Sequence, residues 1–161
     1  MDFFTSVGTA VHETIQYHLT NSPKTGGLMV GNFECKRCGW ATKTPEGQRR
    51  PRFCGKCQNP KLHYVEIDFA AHGISGHLDG LIETPTRRIA LEFKTTSGPN
   101  VEDPTKWLPY SKHFFQIETY CFLLGYLYRK PPTHYTIIYV NRDGSFQPNA
   151  SGTRIPYYSF V

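Results

Sequence analysis

The chain has 161 residues, 39% of them hydrophobic, with 11 Phe, 10 Tyr and 2 Trp, which is apolar volume enough for one domain of ordinary size. No run approaches the ~18 apolar residues of a membrane helix. The opening MDFFTSVGTAVHE has neither a basic region nor a long apolar core, so a membrane span and a secretory signal are excluded and a soluble, cytoplasmic protein is expected. The net charge of +5 is unevenly placed: residues 34–61 hold eight Lys or Arg against Glu34 and Glu46, a balance of +6, which leaves −1 for the rest. A polyanionic partner is the natural inference, although a merely solvated surface has the same composition.

Residues 5–20 read as a helix with Thr5 or Ser6 as N-cap. Gly8, His12, Ile15 and Leu19 fall on one face, so His12 belongs to an inward stripe, where a lone histidine is ordinarily a hydrogen-bonded core residue. Residues 21–32, with Asn21, Pro23, Gly26, Gly27 and Gly31, read as a loop or linker. Cys35, Cys38, Cys54 and Cys57 then give C-x2-C-x15-C-x2-C, the spacing of a zinc ribbon inserted over residues 33–61. Four thiolates make a closed tetrahedral site, which implies a structural ion; two disulfides would need an oxidising compartment that nothing indicates. Gly39 and Gly55 suit the tight turns, and Trp40 and Phe53 either pack the module or stack on bases. Arg49, Arg50 and Arg52 mark its basic face as a nucleic-acid contact.

From Leu62, LHYVEIDF alternates as a strand with Val65, Ile67 and Phe69 on one side and Tyr64, Glu66 and Asp68 on the other. Glu66 is either a solvated side chain or a further metal ligand. The stretch GHLDGLIETPTRRIALEFK, residues 76–94, reads as two strands joined by a four-residue loop over 84–87. That register sets Glu83 opposite Arg88 and Asp79 opposite Glu92, and a strand period of two puts Glu92 and Lys94 on one face. Cross-strand carboxylates ~5 Å apart can share a divalent cation, which polarises a phosphate and acidifies bound water. The Lys94 ammonium would position that water and offset developing negative charge. A surface hairpin with a Glu–Lys ladder has the same pattern. Residues 96–110 form a proline-rich loop, and Thr95, Thr96 and Ser97 are candidate phosphate contacts. A helix follows over 111–128, with Gln116, Tyr120, Leu123 and Leu127 within ~60° of one another on the helical wheel and Cys121 among its hydrophobes. HYTIIYV is a strand closed by the turn NRDG, and RIPYYSFV adds an edge strand broken in part by Pro156.

The order GTAVHETIQ, Asp79, Leu-Glu-Phe-Lys and QIETY, spanning residues 8–120, resembles the PD-(D/E)XK nuclease superfamily and within it the RecB-like exonuclease branch. The resemblance implies an α/β, restriction-endonuclease-like fold over residues 1–161: a central mixed sheet flanked by helices, interrupted by the small zinc-ribbon insertion. It implies a Mg²⁺- or Mn²⁺-dependent deoxyribonuclease, with exonuclease action on single-stranded DNA or DNA ends as the leading form. His12, Asp79, Glu92 and the Phe93 carbonyl would then hold the catalytic metal, Lys94 would serve the water, and Gln116 and Tyr120 would hold the strand. Similar CRISPR-associated nucleases carry an iron–sulfur cluster on four cysteines divided between the two ends of the domain. Here all four lie in one insertion, which favours zinc. Protein partners in a recombination, repair or CRISPR-like complex fit the same resemblance. The competing readings are a non-cleaving or partner-dependent nucleic-acid-binding module, a recruiting subunit, and a structure-specific endonuclease.

Overall fold

The computed structural model describes residues 3–44, 46–96, 109–141 and 157–160. In chain order the elements are α1 (Phe3–Asn21), β1 (Met29–Glu34), β2 (Gln48–Arg49), β3 (His63–Val65), β4 (Ile67–Ala71), β5 (Ile74–Leu78), β6 (Gly80–Glu83), β7 (Arg88–Thr96), α2 (Ser111–Tyr128), β8 (His134–Asn141) and β9 (Tyr157–Phe160). Among the described residues no helix is long and apolar enough to cross a membrane.

The sequence RIALEFKTT has no Gly or Pro to interrupt it, and it forms the nine-residue β7. This strand lies inside a seven-stranded mixed sheet of order β2-β1-β6-β7-β8-β9, with β3 also paired to β1. The β6–β7 pair is an antiparallel hairpin, whereas β8 runs parallel to β7 from Ile89↔His134 to Thr96↔Asn141. A parallel neighbour needs a crossover, and α2 supplies it. At the far edge β9 pairs antiparallel with β8, as expected for an added edge strand.

The two helices take opposite faces of the sheet. On one face Ile117, Leu123 and Leu124 of α2 bury Leu81, Ala90, Ile137 and Tyr139 together with the β4–β5 hairpin. On the other, α1 crosses β7, with the His12 ring edge-on to Phe93 at 5.9 Å and Gly8 against Thr95. A second core joins Met29, Phe33, Leu62 and Tyr64 to Cys35 and Cys54, and Leu19 of α1 packs against it.

Three expectations are corrected. Residues 29–32 are not linker but part of β1, a strand of the main sheet that pairs with β2, β3 and β6 and runs on into the cysteine module. Gly31 suggested a loop, yet its role is close approach: a Cβ there would lie 2.2 Å from the Tyr64 ring. Second, LHYVEIDF is not one strand; it breaks at Glu66, and the alternation changes phase there. Tyr64 is buried with its hydroxyl on the Val30 carbonyl, Val65 is exposed, and Ile67 and Phe69 are again buried. Third, Thr5 and Ser6 lie inside α1 rather than capping it. The loop residues 97–108, the end of the NRDG turn and Pro156 fall outside the described residues.

Candidate functional site

The β6–β7 hairpin has the expected register, with Glu83↔Arg88, Ile82↔Ile89, Leu81↔Ala90 and Gly80↔Leu91. Its four-residue loop is closed by the Thr84 N–H on the Arg87 carbonyl at 2.8 Å, and Thr84 Oγ1 accepts the Arg87 N–H at 2.9 Å. Backbone pairing stops at Gly80. Asp79 bends out of the ladder, and its Oδ2 instead accepts the Phe93 N–H at 2.7 Å. In an extended strand the N–H and C=O of one residue point to the same side, so the Phe93 carbonyl is also directed toward Asp79.

Asp79 is 7% exposed and Glu92 is 3% exposed. Glu92 Oε1 accepts a hydrogen bond from Lys94 Nζ at 2.6 Å, while its Oε2 is buried with no hydrogen-bond partner among the described residues. Burial first, then the Asp79 charge, push the Glu92 carboxyl up to about 7, against the pull of Lys94 and His12. A carboxylate oxygen buried without a donor costs of order 1–3 kcal/mol or more.

His12 comes from α1 to place Nδ1 3.6 Å from Asp79 Oδ1. The Asp79 carboxylate beside it raises the His12 pKa, against the effects of burial and of Lys94. One helical turn on, the buried Gln16 uses one amide nitrogen for two acceptors, the Asp79 carbonyl at 2.9 Å and Glu66 Oε1 at 3.0 Å. Gln16 therefore fixes the bend that presents Asp79, and it brings Glu66 to the rim of the site. Replacing Gln16 with Ala is expected to lower stability by about 1–2 kcal/mol, and Gln16→Glu by more, because it adds a carboxylate to those of Asp79, Glu92 and Glu66. Urea denaturation of both variants measures this, and an unchanged midpoint for Gln16→Glu would remove Gln16 from that role.

The donor set of His12, Asp79 and Glu92 is the chemistry a hard divalent cation takes, and the vacant Glu92 Oε2 suits a ligand. These three are not drawn to coordination spacing: among the described residues only the four cysteines bring three or more ligating atoms within 4.8 Å of one another. Lys94 holds one Glu92 oxygen and the Phe93 N–H holds one Asp79 oxygen.

Gln116 and Tyr120 share a face of α2, as their spacing requires, and satisfy one another: Gln116 Nε2 donates to the Tyr120 hydroxyl at 2.8 Å. The Tyr120 ring stands edge-on to Phe69 at 4.8 Å and covers Gly76, where a Cβ would lie 2.7 Å from it. Among the described residues neither side chain hydrogen-bonds to Asp79, Glu92 or Lys94. One turn earlier, His113 does approach Lys94. Burial, then the Lys94 charge, lower its pKa to about 4, and its Nδ1 lies 2.8 Å from the Tyr139 hydroxyl.

In the cysteine module the Sγ atoms of Cys35 and Cys57 lie 3.6 Å apart and those of Cys38 and Cys54 3.4 Å apart, and all are free thiols. Tetrahedral Zn–S bonds of ~2.3 Å require sulfurs about 3.8 Å apart, so the quartet fits a single ion. A cluster would spread the four sulfurs over several iron atoms. Burial would push the Cys35 thiol up, but hydrogen bonds from Asn59 and backbone N–H groups bring it down to about 6; Cys54 is likewise lowered by the Cys57 and Lys56 N–H groups. Gly39 closes the first turn at φ +71°, and Gln58 occupies the matching left-handed position after the second at φ 59°. Gly55 is needed for space instead, since a Cβ there would meet the Trp40 ring at 3.0 Å. Trp40 thus packs the module, while Phe53 is exposed under Arg52, whose guanidinium carbon is 5.2 Å from the ring centre.

No protein-family model, curated protein or solved structure matches the chain.

The three arginines separate. Arg52 is exposed on the module. Arg49 leans toward Glu83, with Nη2 3.9 Å from its carboxylate. Arg50 is turned inward rather than presented to a ligand: its guanidinium donates to Asn21 Oδ1 at 3.1 Å and to the Pro51 and Pro60 carbonyls, tying the end of α1 to the module. Thr96 is buried and so is not an open phosphate contact, whereas Thr95 is half-buried with its hydroxyl toward Gly8, and Ser97 lies outside the described residues. Sequence periodicity missed Gln16 because a polar residue leaves no mark on a hydrophobic stripe. Its signal was the four-residue spacing after Gly8 and His12.

Proposed function

We propose that the protein is a metal-dependent nuclease with a restriction-endonuclease-like core, acting on DNA phosphodiesters and most readily on single strands or ends. The observation that carries this reading is buried Glu92, with Lys94 on one oxygen and no partner on the other, beside buried Asp79. The order helix, antiparallel hairpin, helical crossover and parallel strand supports it as well. Asp79, Glu92 and His12, with the Phe93 carbonyl, would hold Mg²⁺ or Mn²⁺, which when bound polarises the phosphate and acidifies its water. Lys94, fixed against Glu92, supplies a cation where negative charge develops. Gln116 and Tyr120 offer an amide and a phenol to the strand from α2, and the exposed Arg52 with the module's lysines offers charge to its phosphates.

The test is digestion of end-labelled linear single-stranded DNA with Mn²⁺ or Mg²⁺, wild type beside Asp79→Ala. Degradation by the wild type and silence of the folded variant are expected, and the product ladder reads polarity. A circular single strand distinguishes endonuclease action. If the wild type binds the strand and leaves it whole under both metals, the protein is a binding module rather than a nuclease.

A further inference from the structure

The end of the β6–β7 hairpin, residues 46–49 and the C-terminal end of α2 line a cavity of about 480 Å³. Arg49, Arg88, Arg129 and Lys130 line it, against the carboxylates of Glu46 and Glu83. Three of these cations converge on Glu83 alone: Lys130 Nζ donates at 2.7 Å, Arg88 Nε is 3.8 Å from Oε2, and Arg49 Nη2 is 3.9 Å from Oε1. The Lys130 hydrogen bond, with the Lys130, Arg88 and Arg49 charges, holds the Glu83 carboxyl below its ordinary range. Arg129 is exposed at the left-handed C-cap of α2, with φ 56°, and makes no ion pair among the described residues.

Arg88 is the floor of this cavity. The residue is 7% exposed, Nη1 donates to the Lys130 carbonyl at 2.6 Å, and Nε is buried with no hydrogen-bond partner among the described residues. Only Lys130 is within hydrogen-bond distance of Glu83, and the four cations face two carboxylates, so the cavity holds donors in excess of acceptors. Only Arg49 comes from the basic stretch 34–61; the other three cations belong to the remainder of the chain, which carries −1 overall. Their gathering at one place runs against the local charge trend.

We propose that this cavity binds a phosphate group, carried on a nucleotide or on a nucleic-acid strand. A tetrahedral oxyanion offers enough oxygens for several separate donors, where a carboxylate offers two. Leu127 and Tyr128 add an apolar wall for the attached sugar or base. The volume lies within the roughly 300–1,000 Å³ of small-molecule sites. Arg88 is four residues from Glu92 along β7, about 13 Å at ~3.3 Å per residue, so a phosphate here does not touch the carboxylate site. Phosphate binding here stands whether or not Glu92 takes part in cleavage.

The experiment is a titration of the full-length, zinc-loaded protein with inorganic phosphate at low ionic strength, followed by calorimetry and by NMR of the arginine Nε–Hε signals. Saturable binding with a shift of the Arg88 signal is expected. The surface double variant Arg129→Gln, Lys130→Gln is expected to weaken it by about tenfold or more. Oligonucleotides of one sequence with a 5′-phosphate or a 5′-hydroxyl then separate the sources. A preference for the phosphorylated strand, lost in the variant, assigns a terminal phosphate, and equal affinities that both fall in the variant assign the backbone. Absence of saturable phosphate binding together with unchanged oligonucleotide affinity in the folded variant overturns the proposal, as does phosphate binding that the variant leaves intact.

Discussion

Lys94→Ala is expected to lower strand cleavage by about 10²–10⁴-fold, and pH is expected to divide that loss into two parts. Lys94 Nζ is 2.6 Å from Glu92 Oε1, and its side chain is only 20% exposed. On the proposed reading, removing it takes away the cation that would face the developing charge. It also takes away the main opposition to the shift of Glu92, already raised to about 7 by burial and by Asp79. In the variant Glu92 stays protonated at neutral pH and cannot hold a metal. The wild type should therefore gain Mn²⁺ affinity as pH rises through about 7, and Lys94→Ala should gain it only at more alkaline pH. Mn²⁺ binding followed by electron paramagnetic resonance, beside kcat at saturating metal, reads the two effects apart. Alkaline pH is expected to restore binding in the variant and to leave kcat low. Full recovery of kcat would mean that Lys94 acts only by keeping Glu92 ionised.

The same shift has a sign for stability. Between the ordinary carboxyl value of 4.5 and about 7, the folded state keeps a proton on Glu92 that the unfolded chain has released. Stability contributed by this group thus falls as pH rises across that window. A cation that binds ionised Glu92 offsets the loss, so added Mn²⁺ should raise Tm more above the window than within it.

What the sequence made legible follows from how local each signal is. The hairpin was readable because its loop length fixes its register, but the expected pair of Asp79 with Glu92 does not form: pairing ends at Gly80, and Asp79 bends out to the Phe93 N–H and is held by Gln16. The span Ser111–Tyr128 was readable because a prolonged apolar period ends at Pro131 and Pro132. The cysteine quartet was readable from spacing, since two short turns suffice to bring four sulfurs together. Long-range contacts left no such trace. Nothing near Gly31 announces that Tyr64 lies across it, so β1 looked like a linker although its Gly is the condition for the packing. Arg50 reads as a surface charge beside Arg49 and Arg52, and only the approach of Asn21 and Pro60 turns it inward. The break at Glu66 is a change of sheet partner, from β1 to β5, which an unbroken alternation of residue types conceals.

Metal removal from the cysteine module is expected to unfold more than the module. The purified protein should carry one zinc per chain, colourless rather than with the charge-transfer absorption of an iron–sulfur cluster. Structural zinc sites contribute apparent binding free energies on the order of 10 kcal/mol, comparable with the whole stability of a domain this size. Cys35 and Cys54 are both 0% exposed within a core that includes Met29, Phe33 and Leu62. Met29 and Val30 of the same strand pair with Ile82 and Leu81 of β6, the partner of β7. Arg50 joins the module to the last residue of α1. A ribbon hung on flexible linkers would melt alone and leave the sheet intact. Here β1 belongs to both, so chelation or Cys54→Ser should lower the Tm of a single cooperative transition and expose the β6–β7 hairpin to hydrogen exchange. Calorimetry with a zinc-release assay checks the first, and exchange at Leu81 and Ala90 checks the second. Protection at those amides unchanged after complete zinc release would show that the sheet stands without the module, and that β1 is held by the hairpin rather than by the ion.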